Sequence, residues 1–190
     1  MIANPKFFYM NPEEYLEWEE KQPIKYEYIN GEVFAMTGGT IPHNIISVNM
    51  ATLLKNHLRG KGCFVLMSNV KLQTFEKGNF FYPDVMVTCD QRDKKASKMI
   101  KHPCLIIEVL SPSTGAFDRG DKFKFYRRID TLQEYVLIET ESMNIDVFRL
   151  NESGIWELHS YQENQDLILT SVNFQCPISL VYEDIEFGEN

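Results

Sequence analysis

Leu105-Ile106-Ile107-Glu108-Val109-Leu110 is an apolar run with one carboxylate inside it, and Tyr82-Pro83-Asp84-Val85-Met86-Val87 is a second segment of the same kind. The unbroken apolar stretch leading into Glu108 reads as a strand covered on both faces, as in the interior of an α/β sheet. An ionised side chain withdrawn from water there loses several kcal/mol of solvation unless a counter-charge, hydrogen bonds or a cation compensates. Taken singly, Asp84 reads equally well as an Asx turn after proline, and Glu108 as one half of a buried salt bridge. Taken together on neighbouring strands they can converge on one hard cation. Mg²⁺ is well served by two carboxylates completed by water and substrate phosphate, with Mn²⁺ as a substitute. A cation in that position polarises a phosphoryl group and lowers the pKa of a water for in-line attack, which is phosphodiesterase chemistry.

Working outward, Ser111-Pro112-Ser113-Thr114-Gly115 ends the second run, and residues 118–128 read as a helix with Phe123 and Tyr126 available to pack inward. On that helix Lys122 follows Asp118 by four residues and shares its face, whereas Lys124 lies about 160° away. Lys122 is therefore the candidate for an ammonium that orients the nucleophile and stabilises developing charge. Upstream, Asn11-Pro12-Glu13-Glu14 predicts a short helix running towards Glu20, with a capping residue, proline in the first turn and early acids. Lys25 to Ile29 and Glu32 to Met36 predict a hairpin across Asn30-Gly31. Ile46, Met50, Leu53, Leu54 and Leu58 mark one face of a helix from Pro42 to near Gly60. Cys63 to Met67, Val70 to Phe75, Phe80 to Thr88, Glu134 to Ile138 and Ile145 to Leu150 read as further strands, the second and third joined at Lys77-Gly78-Asn79. Short β segments continue from Trp156.

Pro83-Asp84, the block Glu108-x-Leu110-Ser111-Pro112-Ser113-Thr114 and Asp118-x-x-x-Lys122-x-x-x-Tyr126, in this order, resemble the Uma-two family of restriction-endonuclease-like proteins within the PD-(D/E)XK nuclease superfamily. The similarity extends to Gly31-Glu32, His43-Asn44 and Glu134-Tyr135, and covers nearly the whole chain. It implies a restriction endonuclease-like α/β fold: a mixed central sheet flanked by helices, with peripheral β-hairpins. It also implies a Mg²⁺-dependent endodeoxyribonuclease acting on DNA, with Glu32 as a third carboxylate assisting Asp84 and Glu108; the alternative for Glu32, beside the Asn-Gly turn, is a solvated hairpin glutamate. The superfamily places a lysine two residues after the glutamate, where this chain has Leu110. The Uma-two branch implies migration of that lysine to the following helix, in agreement with the face occupied by Lys122. The stretch Asp130-Thr131-Leu132-Gln133-Glu134-Tyr135-Val136 departs from the family's Gly-Val turn and tryptophan, a packing variation remote from the metal chemistry.

Composition bounds these readings. A chain of 190 residues, 44% hydrophobic and 13% aromatic, supports one sizeable core, and a single domain over residues 1–190 is expected. The net charge of −8 argues against a non-specific nucleic-acid coat. Between Arg92 and Arg128, however, ten of the nineteen basic residues meet four acids, so that segment is net +6 and the remainder −14. Lys94, Lys95, Lys98 and Lys101 are its candidate phosphate contacts, the alternative being a solvated lysine-rich loop. No run approaches the ~20 apolar residues of a membrane span, and the amino terminus lacks a signal-peptide pattern. The four cysteines form no CxxC pair, so reduced thiols in a cytoplasmic protein are expected. His57, His102 and His159 share no zinc-ligand spacing, Ser113 has no nucleophile elbow, and His43 reads as a helix cap or a phosphate contact. Double-strand cleavage would favour a two-fold homodimer. The rival reading is a non-catalytic DNA-binding or assembly module that keeps the nuclease fold.

Overall fold

The computed structural model describes residues 9–36, 38–75, 78–112 and 114–188. Its elements run α1 (Pro12–Glu19), β1 (Tyr26–Ile29), β2 (Glu32–Ala35), α2 (Ile41–His57), β3 (Phe64–Met67), β4 (Lys71–Gln73), β5 (Phe80–Phe81) and β6 (Val85–Thr88). There follow β7 (Met99–Ile100), β8 (Leu105–Val109), α3 (Gly115–Phe117), a π-helical turn (Asp118–Lys122) and α4 (Phe123–Tyr126). The chain ends in β9 (Glu134–Ile138), β10 (Asn144–Leu150), β11 (Trp156–Gln162), β12 (Asp166–Leu169) and β13 (Phe174–Pro177).

The local signals are met where they act over a few residues. Asn11 accepts from the Glu14 amide while the Glu14 carboxylate accepts from the Asn11 amide, a reciprocal capping box. Asn30 and Gly31 both take positive φ, 50° and 100°, as the tight β1–β2 turn requires. α2 buries Ile46, Met50 and Leu54.

A six-stranded sheet of order β11-β10-β9-β8-β6-β3 forms the centre. Only β8 and β9 pair in parallel within it, and a parallel pair needs a crossover, which the helical segment 115–126 supplies. Alternation sends Val85, Val87, Leu105 and Ile107 to the α2 face and Met86 and Ile106 to the face shared with Tyr126 and Tyr135. A second sheet, β2-β1-β5-β4-β7, packs Tyr28 and Phe80 against Tyr15 of α1. β12 and β13 form a separate hairpin.

Two expectations are corrected. Residues 80–88 are not one strand: β5 pairs with β1 and β4 in the second sheet, β6 with β3 and β8 in the central one. Pro83 lacks an amide hydrogen and restricts Tyr82, so the ladder breaks there and the chain changes sheets. Cys63 and Cys89, expected as thiols, are joined in a disulfide. Phe64 stands opposite Thr88 in the β3–β6 ladder, so the next pair outward is Cys63 and Cys89, with Cα atoms 4.1 Å apart; sequence spacing carries no sign of that register. Lys77, expected in the β4–β5 turn, and Ser113 lie outside the described residues. Among the described residues no helix is long and apolar enough to cross a membrane.

Candidate active site

Strand register brings the two strand-borne acids together. β6 and β8 pair Val85 with Ile107, so Asp84, just before Val85, stands beside Glu108, just after Ile107. The Asp84 amide donates to Glu108 Oε2 at 3.4 Å, and the Val109 amide donates to Asp84 Oδ2 at 2.8 Å. Both carboxylates share the parity of Met86 and Ile106, and therefore face the helical segment 115–126. His43, in the first turn of α2, brings Nε2 within 3.1 Å of the same Asp84 Oδ2. The loop before α2 runs tightly against this ring: a Cβ on Gly39 would lie 2.8 Å from His43 Nδ1.

Lys122 closes the cluster from the π-helical turn, a feature common at functional sites. Its Nζ lies 2.8 Å from Glu108 Oε1, 3.3 Å from Asp118 Oδ1 and 3.5 Å from Glu27 Oε1. The Tyr126 hydroxyl donates to Glu108 Oε1 at 2.8 Å, and burial holds that phenol protonated well above its ordinary range. Lys124 points away and pairs at the surface with Asp121 at 2.7 Å.

The electrostatics are those of too many acids in a confined space. Burial pushes the Glu108 carboxyl up to about 8; the Lys122 ammonium opposes the rise, and the Asp84 and Asp118 carboxylates add to it. Burial works against the Lys122 ammonium, but Glu108, Glu27 and Asp118 outweigh it and hold the lysine charged. The hydrogen bond to Asp84 raises His43 against the opposing effect of burial. Glu134 and Asp93 show the contrasting case of structural buried acids. Glu134 holds Arg149 at 2.7 Å and the amides of Thr170 and Ser171, and Asp93 accepts from Thr88, Lys101 and His102.

Glu27, Asp84, Glu108, Asp118, Lys122 and His43 line a cavity of about 350 Å³. A family model described as "Uma2: Putative restriction endonuclease" matches residues 12–179, most of the chain. The chain belongs to the Uma2 family. It is 43% identical over 178 residues to uncharacterized protein slr1290 of Synechocystis sp., covering 94% of each. Uncharacterized protein sll1609 of the same organism is 38% identical over 147 residues, 76% of this chain and 83% of that one. Among solved structures, "a putative nuclease belonging to DUF820" from Anabaena variabilis superposes with a TM-score of 0.75. That match covers 91% of this chain and 97% of the other at 15% identity, and shows that the Uma2 chain has the fold of that protein.

One residue and one loop singled out in the sequence lie away from this cavity in the Uma2 structure. Glu32 is exposed at the turn end of the hairpin, paired in register with Ile29, and does not line the cavity. The hairpin acid that does is Glu27, which also accepts from the Tyr82 amide at 3.2 Å. Its signal was available: Tyr26-Glu27-Tyr28-Ile29 sets one carboxylate among apolar neighbours, as do the Asp84 and Glu108 segments. The lysine-rich loop is at the far end of β6, where Thr88 holds Asp93 at 2.8 Å. Four residues of strand, about 13 Å, separate it from Asp84, and Lys98 is paired with Glu20. Charge reversal at Lys94 and Lys95 is accordingly expected to leave single-turnover cleavage rates unchanged, and a tenfold drop at saturating substrate would place the loop in the site instead.

Proposed function

We propose that this Uma2 protein is a Mg²⁺-dependent endonuclease that hydrolyses DNA phosphodiester bonds, with Mn²⁺ able to substitute. The observation that carries the reading is the pairing of Asp84 and Glu108 across one β ladder with the Lys122 ammonium 2.8 Å from Glu108. The donor set fits a small hard cation. Asp84 Oδ2 is engaged by Val109 and His43 and Glu108 Oε1 by Lys122 and Tyr126, whereas Glu108 Oε2 accepts only a long 3.4 Å bond from the Asp84 amide, so Asp84 Oδ1 and Glu108 Oε2 are the oxygens that would hold the cation. Among the described residues no group of three or more His, Cys, Asp or Glu is arranged to hold a metal ion by itself; a cation held by Asp84 and Glu108 would take the rest of its shell from water and phosphate. Bound there, Mg²⁺ supplies polarisation of the phosphoryl group and a more acidic water.

The chain's own residues do the rest. Val109 and His43 fix the orientation of Asp84, and Tyr126 that of Glu108. Glu27 and Asp118 hold Lys122 where its charge can stabilise a developing oxyanion. Calorimetric titration with Mg²⁺ and Mn²⁺ and cleavage of labelled DNA test the reading. Binding to the wild type but not to Asp84→Asn is expected, and equal binding by both overturns it.

A pH dependence follows from the raised Glu108 pKa. The folded metal-free protein holds a proton that the unfolded chain, with a carboxyl near 4.3, has released. Its contribution to stability is complete below that unfolded value and is lost as pH rises through about 8. Thermal melts in chelator between pH 5 and 9 should therefore fall towards high pH, and the slope should flatten in Glu108→Gln. Added Mg²⁺ should raise the midpoint most at high pH, where no proton competes for Glu108. Superimposable pH profiles of wild type and Glu108→Gln would refute the assignment.

A further inference from the structure

The reacting groups lie at the bottom of a cavity. Glu108 and Lys122 are 3% and 5% exposed, and the open cavity above them, about 350 Å³, falls at the small end of the ~300–1,000 Å³ of pockets that bury a small molecule. A base-paired duplex, whose major groove alone is about 12 Å wide, meets such an opening as a convex cylinder. A nucleotide released from its pair and stack can reach deeper towards Glu108 than the backbone of such a cylinder. It can enter such a pocket, as the bases taken by base-flipping enzymes do.

One wall of the cavity is largely apolar. In the β1–β2 hairpin Glu27 stands directly across from Phe34, so the two side chains share a face. The period of two adds Met36 to that face, and all three line the cavity together with Tyr82. Charge points the same way. Glu27, Asp84, Glu108 and Asp118 face Lys122 and His43, and among the described residues Lys122 is the one Lys or Arg that lines the cavity. Among the described residues the cavity carries no row of basic side chains, the usual source of duplex affinity; Lys25 lines the neighbouring pocket that shares His43 and Asp84. Phe34, Met36 and Tyr82 on the lining instead offer apolar and aromatic surface of the kind on which unpaired bases stack.

We infer that the site takes an unpaired nucleotide of a DNA strand, its base against Phe34 and Met36 and its phosphate towards Asp84 and Glu108. The choice of DNA rests on the endonuclease reading; the preference for an unpaired base does not. One strand needs one active site, so a monomer suffices.

The test is fluorescence anisotropy on the wild-type protein in chelator, where Mg²⁺-dependent cleavage does not run, with a labelled single-stranded dodecamer and a hairpin duplex of the same sequence as probes. The single strand is expected to bind at least about tenfold tighter. Phe34→Leu, which keeps apolar bulk but removes the π face, is expected to weaken single-strand binding about fivefold or more, the lower range for loss of base stacking. Melting curves establish that the variant is folded, and Met36→Ala provides a second variant on the same wall. Equal or tighter duplex binding overturns the inference, as does unchanged single-strand affinity in folded Phe34→Leu and Met36→Ala proteins. Wild-type cleavage of both probes in Mg²⁺ reports separately on the endonuclease reading: uncut DNA with the single-strand preference intact overturns that reading alone.

Discussion

Replacing Asp84 with Asn or Glu108 with Gln is expected to abolish Mg²⁺-dependent cleavage, a loss of at least ~10²-fold, while the protein stays folded with a melting point at or above that of the wild type. The structural side of the expectation comes from what each oxygen does. In Asp84→Asn a carbonyl oxygen still accepts from the Val109 amide that now bonds Oδ2, and one charge leaves an overcrowded acidic cluster. In Glu108→Gln the amide oxygen still accepts from Tyr126, and Lys122 keeps Asp118 and Glu27 as counter-charges. Both changes remove the negative charge that a cation requires, and neither leaves a buried charge without a partner. Cleavage assays and thermal melts on the same preparations check both halves. Unfolding of both variants would mean that the carboxylates serve the fold, as Glu134 does through Arg149.

Lys122→Ala is the second large effect, and it should differ in kind. The ammonium touches Glu108, Asp118 and Glu27 at once, so its removal takes away the stabiliser of developing charge and leaves three buried acids facing each other. The rate of the chemical step is expected to fall by ~10²-fold or more. Breaking a buried ion pair costs about 3–5 kcal/mol, so the metal-free variant should also melt lower, with part of the loss recovered in Mg²⁺ because a cation can still bind Asp84 and Glu108. Lys124→Ala removes only an exposed pair with Asp121 and should leave both readouts near wild type. Single-turnover rates at saturating DNA separate chemistry from affinity. Equal losses from the two lysines, or loss from Lys124 alone, would refute the role given to Lys122.

These expectations draw on two kinds of information. The α1 capping box, the Asn30-Gly31 turn and the apolar face of α2 were legible in the sequence, because each depends on groups a few residues apart whose geometry the backbone period sets. The cost of a carboxylate in an apolar strand is equally local, and it marked Asp84 and Glu108; the four-residue spacing from Asp118 marked Lys122 and turned Lys124 outward. What required the tertiary structure was every choice between distant partners. The chain's change of sheets at Pro83 decides that the hairpin acid beside Lys122 is Glu27, because Phe80 pairs with Tyr28 on one side of the break while Val85 pairs with Ile107 on the other. Glu32, only five residues along, is left exposed at the turn. The Cys63–Cys89 bond arises from the β3–β6 register in the same way. Register and sheet membership are set by packing summed over both faces of many strands, so no short window of residues contains them.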